Sequence, residues 1–310
     1  MAGDDALRII CGPTGAGKSA LALALGRTTP VTIISADSRQ LYRGFDIGTA
    51  KPSVEEQREV PHRGIDAVEP TERYSAARWA DSARVWIDEA RAMGRTPLVV
   101  GGAGLYVRAL TEPLFEEPAL DPVRRVALDA LLETLPISEL RRWCERLDPS
   151  RAHLGRTQLV RAISVALLSG APISKWHARA PRAAGLSARY LVVDPGMALS
   201  AHLDQRLTTM LDMGWEREVE RLARTVAANA PAWNGTGYRW IRALVMRECS
   251  RADALARVRI ETRQYAKRQR TWFRHQLPVS RVTSLDPLAP DALERAARWW
   301  SSTHDGGGLA

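Results

Sequence analysis

Cysteine is scarce in this chain, and its positions exclude two kinds of fold. The 310 residues contain three cysteines, Cys11, Cys144 and Cys249, with no Cys-x-x-Cys pair and no cluster of histidines. Cysteines spaced in this way support neither a disulfide framework nor a structural zinc site. We therefore expect three reduced thiols.

Long apolar runs are also missing. No stretch approaches the roughly 18 apolar residues that a membrane-spanning helix requires. Asp4 and Asp5 stand where a secretory signal would carry positive charge. Because 45% of the residues are apolar, the composition is otherwise that of a well-packed globular protein. We expect a cytoplasmic location.

The clearest motif lies near the start of the chain. Residues 12–19 fit the phosphate-binding pattern G-x-x-x-x-G-K-[ST], between a strand-like run at 7–11 and a helical run at 20–25. In this pattern backbone N–H groups and the lysine hold phosphate oxygens, and the Ser19 hydroxyl can bind Mg²⁺. The alternative is a Gly-rich turn without a ligand, which the strand before it and the helix after it disfavour. The predicted phosphate cradle consists of Gly12, Pro13, Thr14, Gly15, Ala16, Gly17, Lys18 and Ser19.

Strand-like runs alternate with helical stretches along the chain, at 7–11, 31–35, 97–101, 190–193 and 282–285. This alternation predicts an α/β fold, a parallel sheet of the P-loop NTPase type with the cradle at the carboxyl edge of the first strand. Between 113 and 187 no strand is predicted, and prolines divide the segment into helical pieces. We predict a core at 1–112 and 188–300, a helical insertion at 113–187 and a disordered tail at 301–310.

Several further stretches carry a family resemblance. They are Ser35–Pro52, Pro61–Asp66, Tyr74–Ala77, Gly101–Tyr106, Gly237–Arg239 and Thr262–Arg274. In these stretches the chain resembles the bacterial tRNA dimethylallyltransferases. The resemblance implies transfer of a dimethylallyl group from dimethylallyl diphosphate to N6 of the adenosine 3′ of the anticodon in tRNA, with release of diphosphate. With the phosphate cradle we expect Mg²⁺ as cofactor, and we expect a monomer.

The resemblance assigns catalytic roles to three positions. Asp37 becomes the general base that removes a proton from the amine, and Arg206 a donor to the diphosphate. From the residues alone, capping of the next helix is a serious alternative for Asp37, and an exposed helix arginine is the alternative for Arg206. Ala103 stands where the family usually has a threonine that positions the reacting groups.

The resemblance also assigns contacts to tRNA, with the insertion contacting tRNA through Arg125 and 157–161. The predicted tRNA-binding residues are Asp37, Ser38, Arg39, Gln40, Ala103, Arg125, Thr157, Gln158, Leu159, Val160, Arg161, Asn234, Gly235, Thr236, Gly237, Tyr238 and Arg239. Tyr238, Arg239 and Trp240 suit base stacking, although core packing is as good an interpretation of Trp240. Gln158 and His202 depart from the family, which often has arginine at both positions.

A basic helix supports a polyanionic partner. The net charge is +9, and part of it is concentrated on one predicted helical face with only Glu261 nearby. The cations at helical spacing are Arg259, Arg263, Lys267, Arg270 and Arg274. They indicate a track for RNA phosphates, the alternative being a solvated surface.

Three other functions stay open on the residues alone. A small P-loop kinase would use the same cradle, but its carboxylate motif is found only inside a helical run at 85–89 and before Pro195. An adenylate isopentenyltransferase resembles the same core without needing the basic helix. A non-catalytic RNA-binding module leaves the cradle unexplained.

Overall fold

The structure is a computed structural model and describes residues 6–112, 118–178 and 185–302. One six-stranded sheet, parallel throughout, has the order β3-β2-β4-β1-β5-β6. The strands are β1 Leu7–Cys11, β2 Val31–Ser35, β3 His62–Arg63, β4 Thr96–Gly101, β5 Ala188–Val193 and β6 Val282–Leu285. The predicted α/β fold with a parallel sheet is confirmed, and only the two-residue strand β3 was missed.

Thirteen α-helices occur in the described residues. They are α1 Lys18–Thr28, α2 Val54–Glu59, α3 Ala76–Ala92, α4 Gly104–Thr111, α5 Pro122–Thr134, α6 Ile137–Leu147, α7 Arg156–Ser169, α8 Ile173–His177, α9 Leu199–Asp212, α10 Trp215–Thr225, α11 Tyr238–Val245, α12 Arg251–Gln276 and α13 Ala292–Ser301. Serine side chains begin several of them: Ser53, Ser75 and Ser250 each accept a backbone N–H from the first turn. None of these helices has the length and apolar character needed to cross a bilayer.

Contacts divide the chain into two compact units. The first comprises Met1–Thr111 with Leu186–Ala310, and the second Glu112–Gly185. The described part of the second unit is helical and has its own apolar core, which includes Leu132, Leu140 and Ile163. Most of the predicted disordered tail, from residue 303 onward, lies outside the described residues.

Helices cover both faces of the sheet. On one face Leu21 and Leu25 of α1 and Trp299 of α13 pack over the strands. On the other face α3 contributes Trp79, which is fully buried, donates its indole N–H to the carbonyl oxygen of Ser35 at 3.1 Å and stacks on Tyr106. Burial from both sides explains why the central strands are almost continuously apolar.

The central strand order brings three loops together. Strands β2, β4 and β1 are neighbours and run in the same direction, so their carboxyl ends meet at one edge of the sheet. The cradle follows β1, Asp37 follows β2, and Gly102 follows β4. In open α/β sheets ligands bind at this edge, and the candidate site lies here.

Candidate active site

The cradle wraps tightly around the end of β1. Gly12 has φ 141°, and a side chain there would collide with the carbonyl oxygen of Val193 in β5. Gly17 caps α1 with φ 85°, in the left-handed region that glycine adopts most easily. Lys18 donates from Nζ to the carbonyl oxygen of Pro13 at 2.6 Å. This close approach of backbone and lysine is the geometry that a phosphate cradle needs.

A polar cavity of about 270 Å³ opens above the cradle. We call it the cradle cavity; besides residues 14–19 its walls include Asp37, Gly102, His202, Arg206 and Gln269. Its charged walls are Lys18 and Arg206 against the single carboxylate of Asp37. The cavity therefore favours an anion.

Burial and neighbouring positive charge both lower the pKa of Lys18. Burial first, and the nearby Arg206 second, lower this pKa to about 8, while Asp37 opposes both. Burial likewise lowers the pKa of Arg206, again opposed by Asp37. Two partly desolvated cations facing one cavity are stabilised when an anion binds between them.

A second, more apolar cavity of about 60 Å³ adjoins the first. We call it the apolar cavity; its walls include Leu207, Met210 and Trp215, together with Thr236 and Tyr265. Thr14, Asp37, Thr49 and Arg206 line both cavities. Asp37 and Arg206 thus lie where a charged site and an apolar site meet.

The two alternatives raised for these residues are wrong. Asp37 Oδ1 accepts the backbone N–H of Arg39 at 2.8 Å and so closes a turn, whereas the next helix begins at Val54 with its own cap. Its other oxygen, Oδ2, has no hydrogen-bond partner among the described residues. Arg206 is partly buried and donates to the carbonyl oxygen of Thr49 at 3.5 Å.

Comparison with known families identifies the protein family of this chain. The family model described as IPP transferase matches residues 40–276, well over half of the chain. The chain belongs to the IPP transferase family. A second model, described as Isopentenyl transferase, matches residues 5–63.

Curated relatives are similar to this chain over most of its length. A tRNA dimethylallyltransferase of Gloeobacter violaceus is 41% identical over 278 residues, covering 87% of this chain and 90% of the relative. One of Acaryochloris marina is 38% identical, covering 86% and 89%. The crystal structure of a Bacillus halodurans tRNA isopentenylpyrophosphate transferase matches with a TM-score of 0.65 at 27% identity, covering 96% of this chain and 100% of that one.

Around Asp37 the predicted tRNA contacts have different surroundings. Ser38 and Arg39 are partly exposed, and Arg39 lines the apolar cavity. Gln40 is occupied internally, because Oε1 accepts from Ser35 at 2.9 Å and Nε2 donates to the carbonyl oxygens of Thr49 and Ala50. The Gln40 amide thus holds the loop at 49–50, and its contact with tRNA stays a prediction.

The predicted stacking role of Tyr238 is wrong. Its side chain is fully buried, and its hydroxyl donates to Glu218 at 2.7 Å. Trp240 has guanidinium groups over its ring, from Arg239 at 4.7 Å and Arg257 at 5.4 Å, so its face is already covered.

The rest of this segment is more accessible. Asn234 and Arg239 are exposed, Gly235 and Gly237 are buried, and Thr236 lines the apolar cavity. Thr236 is thus the residue of the segment that reaches the site.

Ala103 lies beside the catalytic candidate through its backbone. Its N–H donates to the carbonyl oxygen of Ala36 at 3.0 Å, immediately before Asp37. The Ala103 side chain is not among the walls of either cavity. The catalytic role assigned to this position stays a prediction.

In the second unit the predicted contacts divide into two groups. Thr157, Gln158 and Arg161 are exposed on α7, and Arg125 pairs with Asp129 at 3.8 Å on α5. Leu159 and Val160 are buried in the apolar core of that unit. Contact between their side chains and tRNA is therefore ruled out.

Several cations on the basic face of α12 have acidic partners that the sequence does not indicate. Asp204 of α9 pairs with Arg263 at 2.7 Å and with Arg259 at 3.8 Å. Arg270 pairs with Asp194. The expectation that only Glu261 lies near these cations is wrong, because both aspartates come from elements distant in sequence. Lys267 and Arg274 are exposed and have no acidic partner among the described residues.

The site has an oxygen atom that can bind a magnesium ion, although its described residues form no cluster of metal ligands. The described residues contain no group of three or more His, Cys, Asp or Glu that could hold a metal ion. Magnesium usually keeps several waters and binds through one or two protein oxygens plus substrate phosphates. The exposed Ser19 hydroxyl, which faces the cradle cavity, fits that requirement.

Three structural residues of the site were missed from the sequence. Gln269 joins the cradle to β4. Glu218 accepts the backbone N–H groups of Asp46 and Ile47 at 3.0 and 2.7 Å, and Lys51 binds the carbonyl oxygen of Tyr42 at 2.6 Å. Helical spacing does place Gln269 on one face of α12 with Thr262 and Tyr265, which was an available signal.

Proposed function

We propose that this enzyme transfers a dimethylallyl group from dimethylallyl diphosphate to N6 of the adenosine 3′ of the anticodon in tRNA. The observation that carries the proposal is the position of Asp37 and Arg206 at the junction of a cationic cavity and an apolar one. A donor with a diphosphate head and a five-carbon apolar tail matches that junction. The names of the curated relatives support tRNA as the acceptor.

The diphosphate end of the donor fits the cradle cavity. Lys18, Arg206 and the backbone N–H groups at 15–19 would neutralise the charge that grows on the leaving oxygen as the carbon–oxygen bond breaks. Mg²⁺, held by the Ser19 hydroxyl, the diphosphate and water, would supply further positive charge.

Asp37 would complete the chemistry on the other side of the reacting carbon. The nitrogen–carbon bond forms from the adenine amine to the first carbon of the allylic group, and the carbon–oxygen bond to diphosphate breaks. The amine loses a proton, and Oδ2 of Asp37 can accept it. The Arg39 N–H bonds only to Oδ1, which fixes the carboxylate and leaves Oδ2 available.

The acceptor base must leave its stack to reach Asp37. Enzymes that act on a base extrude it at a cost of a few kcal/mol, and a single-stranded loop makes this easier. Arg39 and Thr236 line the apolar cavity and are placed to contact the extruded nucleotide. We include a monomeric state and a cytoplasmic location in this proposal.

A transfer assay tests the proposal directly. Purified protein is incubated with labelled dimethylallyl diphosphate and Mg²⁺, without ATP, and with either unmodified tRNA or AMP as acceptor. Label on tRNA, lost when Mg²⁺ is chelated, is the expected result. Label on AMP alone would identify an adenylate isopentenyltransferase, and a strict need for ATP with phosphate on the product would identify a kinase.

Diphosphate binding is expected to weaken as the pH rises above 8. Lys18 gains an anionic partner on binding, so its pKa in the complex lies above the value of about 8 in the free protein. The affinity for diphosphate is therefore highest below pH 8 and falls by up to about tenfold per pH unit above it. The fall ends above the pKa that Lys18 has in the complex. Calorimetry with inorganic diphosphate in buffers of different ionisation enthalpy measures the proton uptake. Lys18→Met should abolish it, and a flat affinity from about pH 7.5 to 9.5 would contradict the assignment.

Removing Lys267 and Arg274 together is expected to weaken tRNA binding and its salt dependence. For each single-strand phosphate that is no longer neutralised, the slope of log K against log salt falls by about 0.7. The matched control is the double alanine variant of Arg259 and Arg263, whose charges are already paired with Asp204. Filter binding across salt concentrations measures both variants. Equal slopes for the two would show that Lys267 and Arg274 are only solvated surface.

A further inference from the structure

Gln269 is a polar side chain buried at the centre of the site. It lies on α12, is 6% exposed, and forms part of the cradle cavity wall. Its Oε1 accepts the backbone N–H of Thr14 at 2.8 Å, and its Nε2 donates to the carbonyl oxygen of Gly102 at 2.8 Å. One partner can only donate and the other can only accept, so a side-chain amide is required and its orientation is fixed.

The two partners belong to different loops of the site. Thr14 is inside the cradle after β1, and Gly102 follows β4, which pairs with β1 on one side and β2 on the other. A side chain at position 102 would collide with Nε2 of Gln269, so the glycine leaves room for the amide. Helix α12 is thus tied to the cradle by one side chain.

We propose that Gln269 is a positioning residue for the diphosphate. By holding the Thr14 peptide, it orients the N–H groups that follow in the cradle, so that they converge on one phosphate position. The inference rests on the proposed function, because it takes the cradle cavity to bind the diphosphate of the donor. In this role Gln269 acts through the Thr14 peptide and does not itself take part in bond making or breaking.

The geometry also distinguishes this role from ordinary core packing. A residue that only fills space would be replaced without loss by an apolar side chain of similar volume. Gln269 instead satisfies two buried backbone groups, one of them in the cradle, and an apolar replacement leaves both unsatisfied. The effect should therefore appear in the affinity for diphosphate more than in the affinity for tRNA.

The experiment compares three variants. Gln269→Met keeps the volume and removes both hydrogen bonds. Gln269→Glu keeps the acceptor for Thr14, loses the donor to Gly102 and adds a negative charge to the cavity. Gln264→Met makes the same chemical change on the exposed side of α12 and serves as the control. Each variant is titrated with inorganic diphosphate and, separately, with tRNA, and its melting temperature is measured.

We expect Gln269→Met to bind diphosphate about tenfold more weakly, in line with two ordinary hydrogen bonds, with tRNA affinity within about twofold of the wild type. Gln269→Glu should lose more. The Gln264→Met control should match the wild type. Gly102→Ala, which displaces the amide without changing α12, should reproduce the Gln269→Met loss and replaces it if that variant does not fold.

Two outcomes would overturn the inference while leaving the proposed function in place. One is a folded Gln269→Met protein whose diphosphate affinity is unchanged. The other is an equal loss of diphosphate and tRNA affinity together with a lowered melting temperature, which would make the role purely structural. Failure of the wild-type protein to transfer the dimethylallyl group would instead count against the proposed function.

Discussion

Replacing Asp37 with asparagine is expected to slow the transfer step by roughly 10²–10⁴-fold in single-turnover assays. The asparagine oxygen can still accept the Arg39 N–H, so the turn after β2 is preserved. What is lost is the proton acceptor at Oδ2. The affinity for inorganic diphosphate should stay within a few-fold of the wild type, because Lys18 and Arg206 remain in place.

The matched control for this variant is Asp212→Asn, an exposed aspartate at the end of α9. It should transfer the dimethylallyl group at the wild-type rate. If Asp37→Asn loses less than about tenfold under single-turnover conditions, another group removes the proton and the general-base assignment is wrong. A large loss accompanied by failure to bind diphosphate would point to a disturbed cradle instead.

The fold and the phosphate end of the site were predictable because their signals are local. Each strand of the sheet except β3 is a short strand-like run separated from the next by helical stretches, and the cradle pattern by itself indicates phosphate binding. The meeting of the cradle, Asp37 and Gly102 also follows from a parallel sheet, since carboxyl ends of neighbouring strands share one edge.

The errors arise where distant segments meet. Arg263 and Arg270 look unpaired along α12, yet Asp204 and Asp194 reach them from α9 and from the end of β5. No periodicity in the helix itself reports such partners. The bonds of Gln269 likewise span 255 residues to Thr14.

Burial explains the remaining corrections. Tyr238 has the amphipathic character of a stacking residue, but its hydroxyl finds Glu218 in the interior, which makes a buried tyrosine favourable. Leu159 and Val160 matched a contact segment by position, whereas their apolar side chains complete a helical core. A family match over a segment does not decide which of its side chains face outward.

The second large effect is expected at Arg206, the cation that lines both cavities. Arg206→Met should lower the rate of the chemical step by roughly 10²–10³-fold, the usual cost of removing one donor from a developing negative charge. Arg206→Lys should recover only part of that loss, because a single ammonium cannot donate to two oxygens in the fixed fork of a guanidinium.

The pH dependence separates this role from general damage to the site. Arg206 lowers the pKa of Lys18, so removing it should raise that pKa and shift the fall in diphosphate affinity to higher pH. Arg221→Met, an exposed arginine on α10, should change neither the rate nor the pH profile. Single-turnover rates and calorimetric titrations of the three variants across pH test this. A slow Arg206→Met protein with an unshifted profile would mean that Arg206 does not share the diphosphate site with Lys18.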